Sequence, residues 1–229
     1  MSRTYENPAV SSLAKALGTN PREIRKNFES LVYGMLRFLS DCSSVRICNN
    51  FMSGLDDDVR RHSPPLAPEA LSTLYKEAVK TCPPWTDVFG AVHANVLTSS
   101  NGEGLGQYFT PEDLAQLTAA IAHDHMKDHP PKKTSGAGAI TIHEPTVGAG
   151  GLVLAQLEEA GDDDRRYVID AWDIDPLCCA MTSLQILANV AFHSRSVAGI
   201  YVREGNVLTK QHKIFWMGFR GSVVRAKLA

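Results

Sequence analysis

One stretch limits the fold more than any other: three short apolar runs separated by two segments of helical period, between residues 139 and 202. Ala139-Ile140-Thr141-Ile142-His143 reads as a strand, residues 151–160 as a helix stopped by Gly161, and residues 167–172 as a second strand. Residues 176–191 predict a second helix, and residues 197–202 a third strand. A βαβαβ unit of this kind makes parallel strands with right-handed crossovers, so the expected class is α/β.

In such a sheet, ligands bind beyond the carboxyl ends of the strands, which directs attention to the three turns. The first, Glu144-Pro145-Thr146-Val147-Gly148-Ala149-Gly150-Gly151, offers small residues and then the free N–H groups of a helix start. It matches neither Gly-x-Gly-x-x-Gly nor a Gly-Lys-Ser/Thr phosphate loop, and a tight strand-to-helix turn would carry the same residues. Asp173 ends the second strand, where a carboxylate can accept from both hydroxyls of a ribose; Asp170 and Asp175 compete for that role if the register shifts. Gly205-Asn206 follows the third strand, either as a plain turn or with the Asn206 amide facing an adenine edge.

Upstream, apolar positions recur at helical spacing over Phe28, Leu31, Val32, Met35, Leu36 and Leu39, and again over Leu71, Leu74, Tyr75, Ala78 and Val79. Between them, Asp56, Asp57, Asp58, Arg60, Arg61 and Pro64, Pro65, Pro68 predict a solvated loop. Asp87 is placed to cap a third helix. Thr110-Pro111-Glu112-Asp113 opens a fourth, with Leu114, Leu117, Thr118 and Ile121 as its expected buried stripe and residues 127–138 as a mobile linker after it. Residues 12–24 fit either the start of a helix-turn-helix or a helical hairpin. His125 and His129 have the i, i+4 spacing of a metal pair, but with no third ligand in context they read as a solvated helix end, and no metal is expected.

Charge and cysteines narrow the setting. A formal net charge of −2 means that any nucleic-acid contact must come from a local patch, such as Lys210, Lys213, Arg220, Arg225 and Lys227 near the end, which otherwise form a solvated tail. Five cysteines without a Cys-x-x-Cys pair fit a reducing compartment, and with no leader or membrane span evident the expected location is cytoplasmic.

Gly106-Gln107-Tyr108-Phe109-Thr110-Pro111, the glycine turn, Asp173-Ile174-Asp175-Pro176 and Gly205-Asn206-Val207-Leu208 together resemble the cofactor half of N6-adenine DNA methyltransferases. The likeness is strongest to modification subunits of type I restriction systems and their short plasmid and phage relatives, and covers about residues 87–208; Trp85-Thr86-Asp87-Val88-Phe89-Gly90 is similar to the helix preceding that element. It implies a Rossmann-like methyltransferase fold, S-adenosylmethionine as cofactor, DNA as partner and, for some relatives, a restriction–modification partner protein. Gln107, Tyr108, Phe109 and Thr110 would then lie near the methionine end of the cofactor. Gly148, Ala149, Gly150 and Gly151 would form its backbone wall, Asp173 would hold the ribose and Ile174 would pack on the adenine. Glu144 stands where the family has Asp, and Asn206 replaces another Asp, so its contact would use the amide oxygen.

The family orients the target amine with Asp, Asn or Ser followed by Pro-Pro and an aromatic after the fourth strand. No proline follows Pro176, so that element is missing from its usual place. Cys82-Pro83-Pro84-Trp85 is the candidate for a permuted version; a thiol is a poor acceptor, and a Pro-Pro linker with a packing Trp is the alternative. On this reading residues 1–86 form an N-terminal helical region and 87–229 a methyltransferase-like domain with a truncated parallel sheet. Its exposed edge should be covered by the N-terminal helices, the tail or, as a homodimer, a second copy.

Overall fold

A computed structural model describes residues 6–41, 51–64, 66–96, 109–128, 139–161, 167–195 and 197–220. The N-terminal part contributes α1 (Pro8–Ala16), α2 (Pro21–Asp41), β1 (Phe51–Leu55), α3 (Asp57–His62), α4 (Glu69–Thr81) and α5 (Val88–Val96). The remainder is α6 (Glu112–Asp128), β2 (Ile140–Glu144), α7 (Gly151–Ala160), β3 (Tyr167–Asp173), α8 (Pro176–His193), β4 (Gly199–Asn206) and β5 (Gln211–Arg220).

The five strands form one sheet in the order β1-β5-β4-β3-β2. β2, β3 and β4 are parallel, with Ile142 opposite Ile169 and Ile169 opposite Ile200, whereas β5 runs antiparallel to both β4 and β1. The sheet is therefore mixed and not purely parallel. The edge of β4 is closed by the tail strand β5, and β1 then closes β5, so a strand of the N-terminal region belongs to the sheet. The stretch expected as a loop thus holds β1 and the short helix α3, which Asp56 caps by accepting from the N–H groups of Asp58 and Val59 at 3.0 and 3.3 Å.

Both crossovers step in the same direction, which puts α7 and α8 on one face of the sheet. That face buries Tyr167, Ile169, Ala171, Ile200 and Val202. The alternate residues Thr141, His143, Val168, Asp170, Tyr201 and Arg203 lie exposed or half-buried on the other. Among the described residues, side chains cover that face: Arg203 Nε donates to Asp170 at 2.6 Å, and its guanidinium carbon lies 5.5 Å from the Trp172 ring centroid. The His212 ring stands 4.2 Å from Trp172 on the same indole.

α8 is apolar enough and long enough to cross a membrane, but it is enclosed by the fold. A helix that is apolar on all sides needs neighbours on all sides. They are β3, β4 and β5 below, with α2, α4 and α5 around it. Phe28 of α2, Tyr75 of α4 and Phe89 of α5 join in one aromatic cluster, Tyr75 stacking on Phe89 at 4.8 Å. Trp216 Nε1 donates to the buried Ser40 hydroxyl at 3.3 Å and ties β5 to α2. One hydrophobic cluster joins residues from Ala9 of α1 to Trp216 of β5.

α6 departs from expectation. Its buried residues are Ala115 and Ala119, which meet Ala155 and Leu152 of α7, while Leu114, Leu117 and Ile121 are 51%, 58% and 62% exposed. Alanine facing alanine lets the two helix axes approach closely, and the bulkier leucines turn away from that seam. At the other end of the chain, α1 leads into α2 through Gly18, at φ +126°, and packs on α4 and α5, with Leu13, Ala14 and Leu17 in the core.

Candidate functional site

The glycine turn is built on two residues with positive φ, Gly148 (56°) and Gly150 (100°), a conformation that penalises any Cβ. Val147 N–H donates to Trp172 C=O at 2.8 Å, which anchors the turn to the end of β3. Gly150 caps α7 without a side-chain hydrogen bond, leaving the first-turn N–H groups without a side-chain acceptor from the cap.

Asp173 is the hub of this end of the sheet. One carboxylate oxygen accepts from Gly148 N–H at 2.9 Å and the other from Asp175 N–H at 2.9 Å. Each oxygen keeps a further lone pair, so the carboxylate fixes the turn and can still accept from hydroxyl groups. Asp175 instead caps α8, accepting from Leu177 N–H at 2.9 Å, and Asp170 pairs with Arg203 on the open face. Geometry thus separates the three aspartates that the sequence left in competition.

Phe109 and Thr110 come to the same place from the start of α6. A Cβ on Gly148 would meet the Phe109 ring at 3.1 Å, and one on Gly151 would lie 3.8 Å from the Thr110 carbonyl oxygen. Phe109 also packs on His93 of α5, with ring centroids 4.3 Å apart; burial lowers the His93 pKa. Ile174 stands 66% exposed beyond β3, an open apolar surface beside Asp173. Gln107 and Tyr108, and the part of the expected linker from residue 129 to 138, lie outside the described residues.

Two expected positions are engaged locally. Glu144 folds back on its own turn, accepting from Thr146 N–H at 3.2 Å. The Asn206 amide oxygen, the atom expected to face the adenine edge, accepts from Leu208 and Thr209 N–H at 2.9 and 3.4 Å and closes the β4–β5 hairpin. The hairpin exists because β5 pairs with β4, and that pairing demands an Asx-type turn here.

Residues 82–85 lie in the connection from α4 to α5. Burial pushes the Cys82 thiol up to about 11, and its sulfur receives a hydrogen bond from Asn7 Nδ2 at 3.3 Å. Trp85 is 1% exposed and sits at φ 68°, an unusual backbone state for an aromatic residue. In this arrangement the ring is a packing element, with no face open to stack on a base.

Sequence reasoning missed three residues of α8. Thr182, Gln185 and Asn189 are polar, fully buried, and bonded to the glycine turn or to residues 85–89. Their signal was available: apart from Ser183, they are the polar residues in the apolar run 177–192, at i, i+3 and i+7. Gln185 Nε2 also donates at 2.7 Å to Asp87, whose pKa burial raises, partly offset by this bond and by one from Gly90 N–H.

A parallel β2-β3-β4 core, with a glycine turn and a carboxylate converging at its carboxyl end, defines a methyltransferase-like α/β protein. The family model for N-6 DNA methylases matches residues 85–223, more than half of the chain, and the chain belongs to that family. No curated protein and no solved structure matches it.

Proposed function

We propose that this chain binds S-adenosylmethionine at the carboxyl ends of β2, β3 and β4 and provides the cofactor-binding part of a DNA adenine-N6 methyltransferase. The observation that carries the reading is the Asp173–Gly148 hydrogen bond of 2.9 Å, which joins the carboxylate to the glycine turn beneath Phe109. S-adenosylmethionine would supply an activated methyl group on a sulfonium centre. The donor set suits it: Asp173 has lone pairs left for ribose hydroxyls, the first turn of α7 faces a carboxylate favourably, and Ile174 offers an apolar surface for a purine.

Phe109 and Thr110 close the turn from the α6 side, and the absence of side chains at Gly148 and Gly150 lets the turn pack closely on the Phe109 ring and on Thr182. Transfer to an adenine amine needs acceptors that orient the N–H bonds and a surface that holds the flipped base. We assign that role to a partner polypeptide on DNA. A second reading, a family member that binds the cofactor without transferring its methyl group, draws support from the burial of Trp85 and the engagement of the Asn206 amide oxygen.

Calorimetric titration with S-adenosylmethionine tests the binding claim. Asp173→Ala should weaken affinity by about tenfold or more, the weight of a charge-assisted hydrogen bond. Absence of binding by the unmodified chain would overturn both readings. Transfer of a tritiated methyl group to DNA, alone and with candidate partner subunits, separates them: transfer supports the first and its persistent absence the second.

A further inference from the structure

Three of the buried polar residues of α8, Thr182, Gln185 and Asn189, form a strut between two parts of the molecule that are far apart in sequence. Thr182 Oγ1 donates to the Gly148 carbonyl at 3.0 Å. Gln185 Nε2 donates at 2.7 Å to the Ala149 carbonyl and at 2.7 Å to Asp87, while its Oε1 accepts from Phe89 N–H at 3.2 Å. Asn189 Oδ1 accepts from Trp85 N–H at 2.7 Å, and its Nδ2 donates back to the Gln185 carbonyl at 2.9 Å.

Gln185 is 2% exposed, and both of its amide hydrogens are used, one on each side. Displacing the glycine turn would leave an amide hydrogen without a partner in a dry interior, and displacing residues 85–89 would do the same from the other side. The two sides also touch directly: a Cβ on Gly151 would come within 2.9 Å of Asp87 Oδ2. The positive φ of Trp85 adds a backbone that holds its shape only while Asn189 and its neighbours fix it.

We infer that Gln185 is a positioning residue that links the shape of the glycine turn to the docking of the α4–α5 connection, so that ligand binding at the turn and ordering of residues 85–90 reinforce each other. The inference rests on the cofactor reading for the identity of the ligand. Linkage is reciprocal: whatever loosens residues 85–90 weakens binding at the turn by the factor with which binding tightens them.

The experiment uses the full chain and S-adenosylmethionine, with affinity read by calorimetry and amide exchange of residues 85–90 read by mass spectrometry. In the unmodified chain the ligand should slow exchange of these amides, none of which it would touch. Gln185→Met keeps the volume and removes the hydrogen bonds; it should bind about tenfold more weakly, within the usual range of coupling between sites, and lose the ligand-induced protection. Asn189→Ala, which alters the far side of the strut without touching the turn, should weaken binding by about threefold and serves if Gln185→Met does not fold. Unchanged affinity in the variant that folds, or unprotected residues 85–90 in the unmodified chain, overturns the linkage while leaving the cofactor reading intact. No binding by the unmodified chain overturns the cofactor reading itself.

Discussion

α8 and α6 invert the ordinary rule in opposite ways. α8 is an apolar helix that buries its polar residues, and α6 is a polar helix that exposes its large apolar ones. The difference lies in their neighbours. α8 lies on three strands and among three helices, so all of its faces are interior, and Gln185 and Asn189 find partners inside. α6 packs chiefly on α7 through an alanine seam, and one narrow contact decides which residues are covered. A side chain's burial is set by how many elements converge on its face, with hydrophobicity only biasing the choice.

Substitutions on the two helices test the contrast between them. Leu184, fully buried on α8, should show the largest effect: Leu184→Ala is expected to cost about 2–5 kcal/mol in urea unfolding, through lost burial and the cavity left behind. A loss under about 1 kcal/mol would mean that α8 is far less enclosed than described. Next comes Asn189→Leu, which orphans the Trp85 N–H and should cost about 1–3 kcal/mol by the same measurement.

Asp87 supplies a test by pH. Burial raises its pKa in the folded chain, so between the ordinary carboxylate range and that raised value the folded state holds a proton that the unfolded state has released. Stability should therefore fall as pH rises through this window, and Asp87→Asn should remove that part of the slope. Urea midpoints taken across pH for both chains check it; identical slopes would show that Asp87 is better solvated than its surroundings imply. The smallest effect belongs to α6, where Leu117→Ala should change stability by no more than about 0.5 kcal/mol, because its side chain already stands in solvent. A loss comparable to that of Leu184→Ala would erase the contrast between the two helices.

The chain's own order of residues exposed much of the sheet and part of the site. Strands at residues 140–144 and 167–173, helices from Gly151 and Pro176, and the carboxylate at the end of β3 were all readable, because each depends on periodicity or turn chemistry within a few residues. β1 was not. Phe51-Met52-Ser53-Gly54-Leu55 is a short run with no turn signal tying it to a partner, and it becomes a strand by pairing with residues 216–220. The stripe on α6 was misread because Leu114, Leu117 and Ile121 show the period of a buried face, and nothing local says that Ala115 and Ala119 take the contact instead.

Sequence alone therefore determined the βαβ alternation and the small-residue turn after β2, both products of short-range sterics and hydrogen-bonding preference, and narrowed the acidic position to three aspartates. Tertiary structure alone decided that β5 and β1 close the sheet, that the Asn206 amide oxygen serves a hairpin, and that Gln185 joins the turn to residues 87 and 89 across nearly a hundred positions. A buried polar group must be paired, and which partner it takes depends on where chain folding brings distant backbone, information that no local window contains.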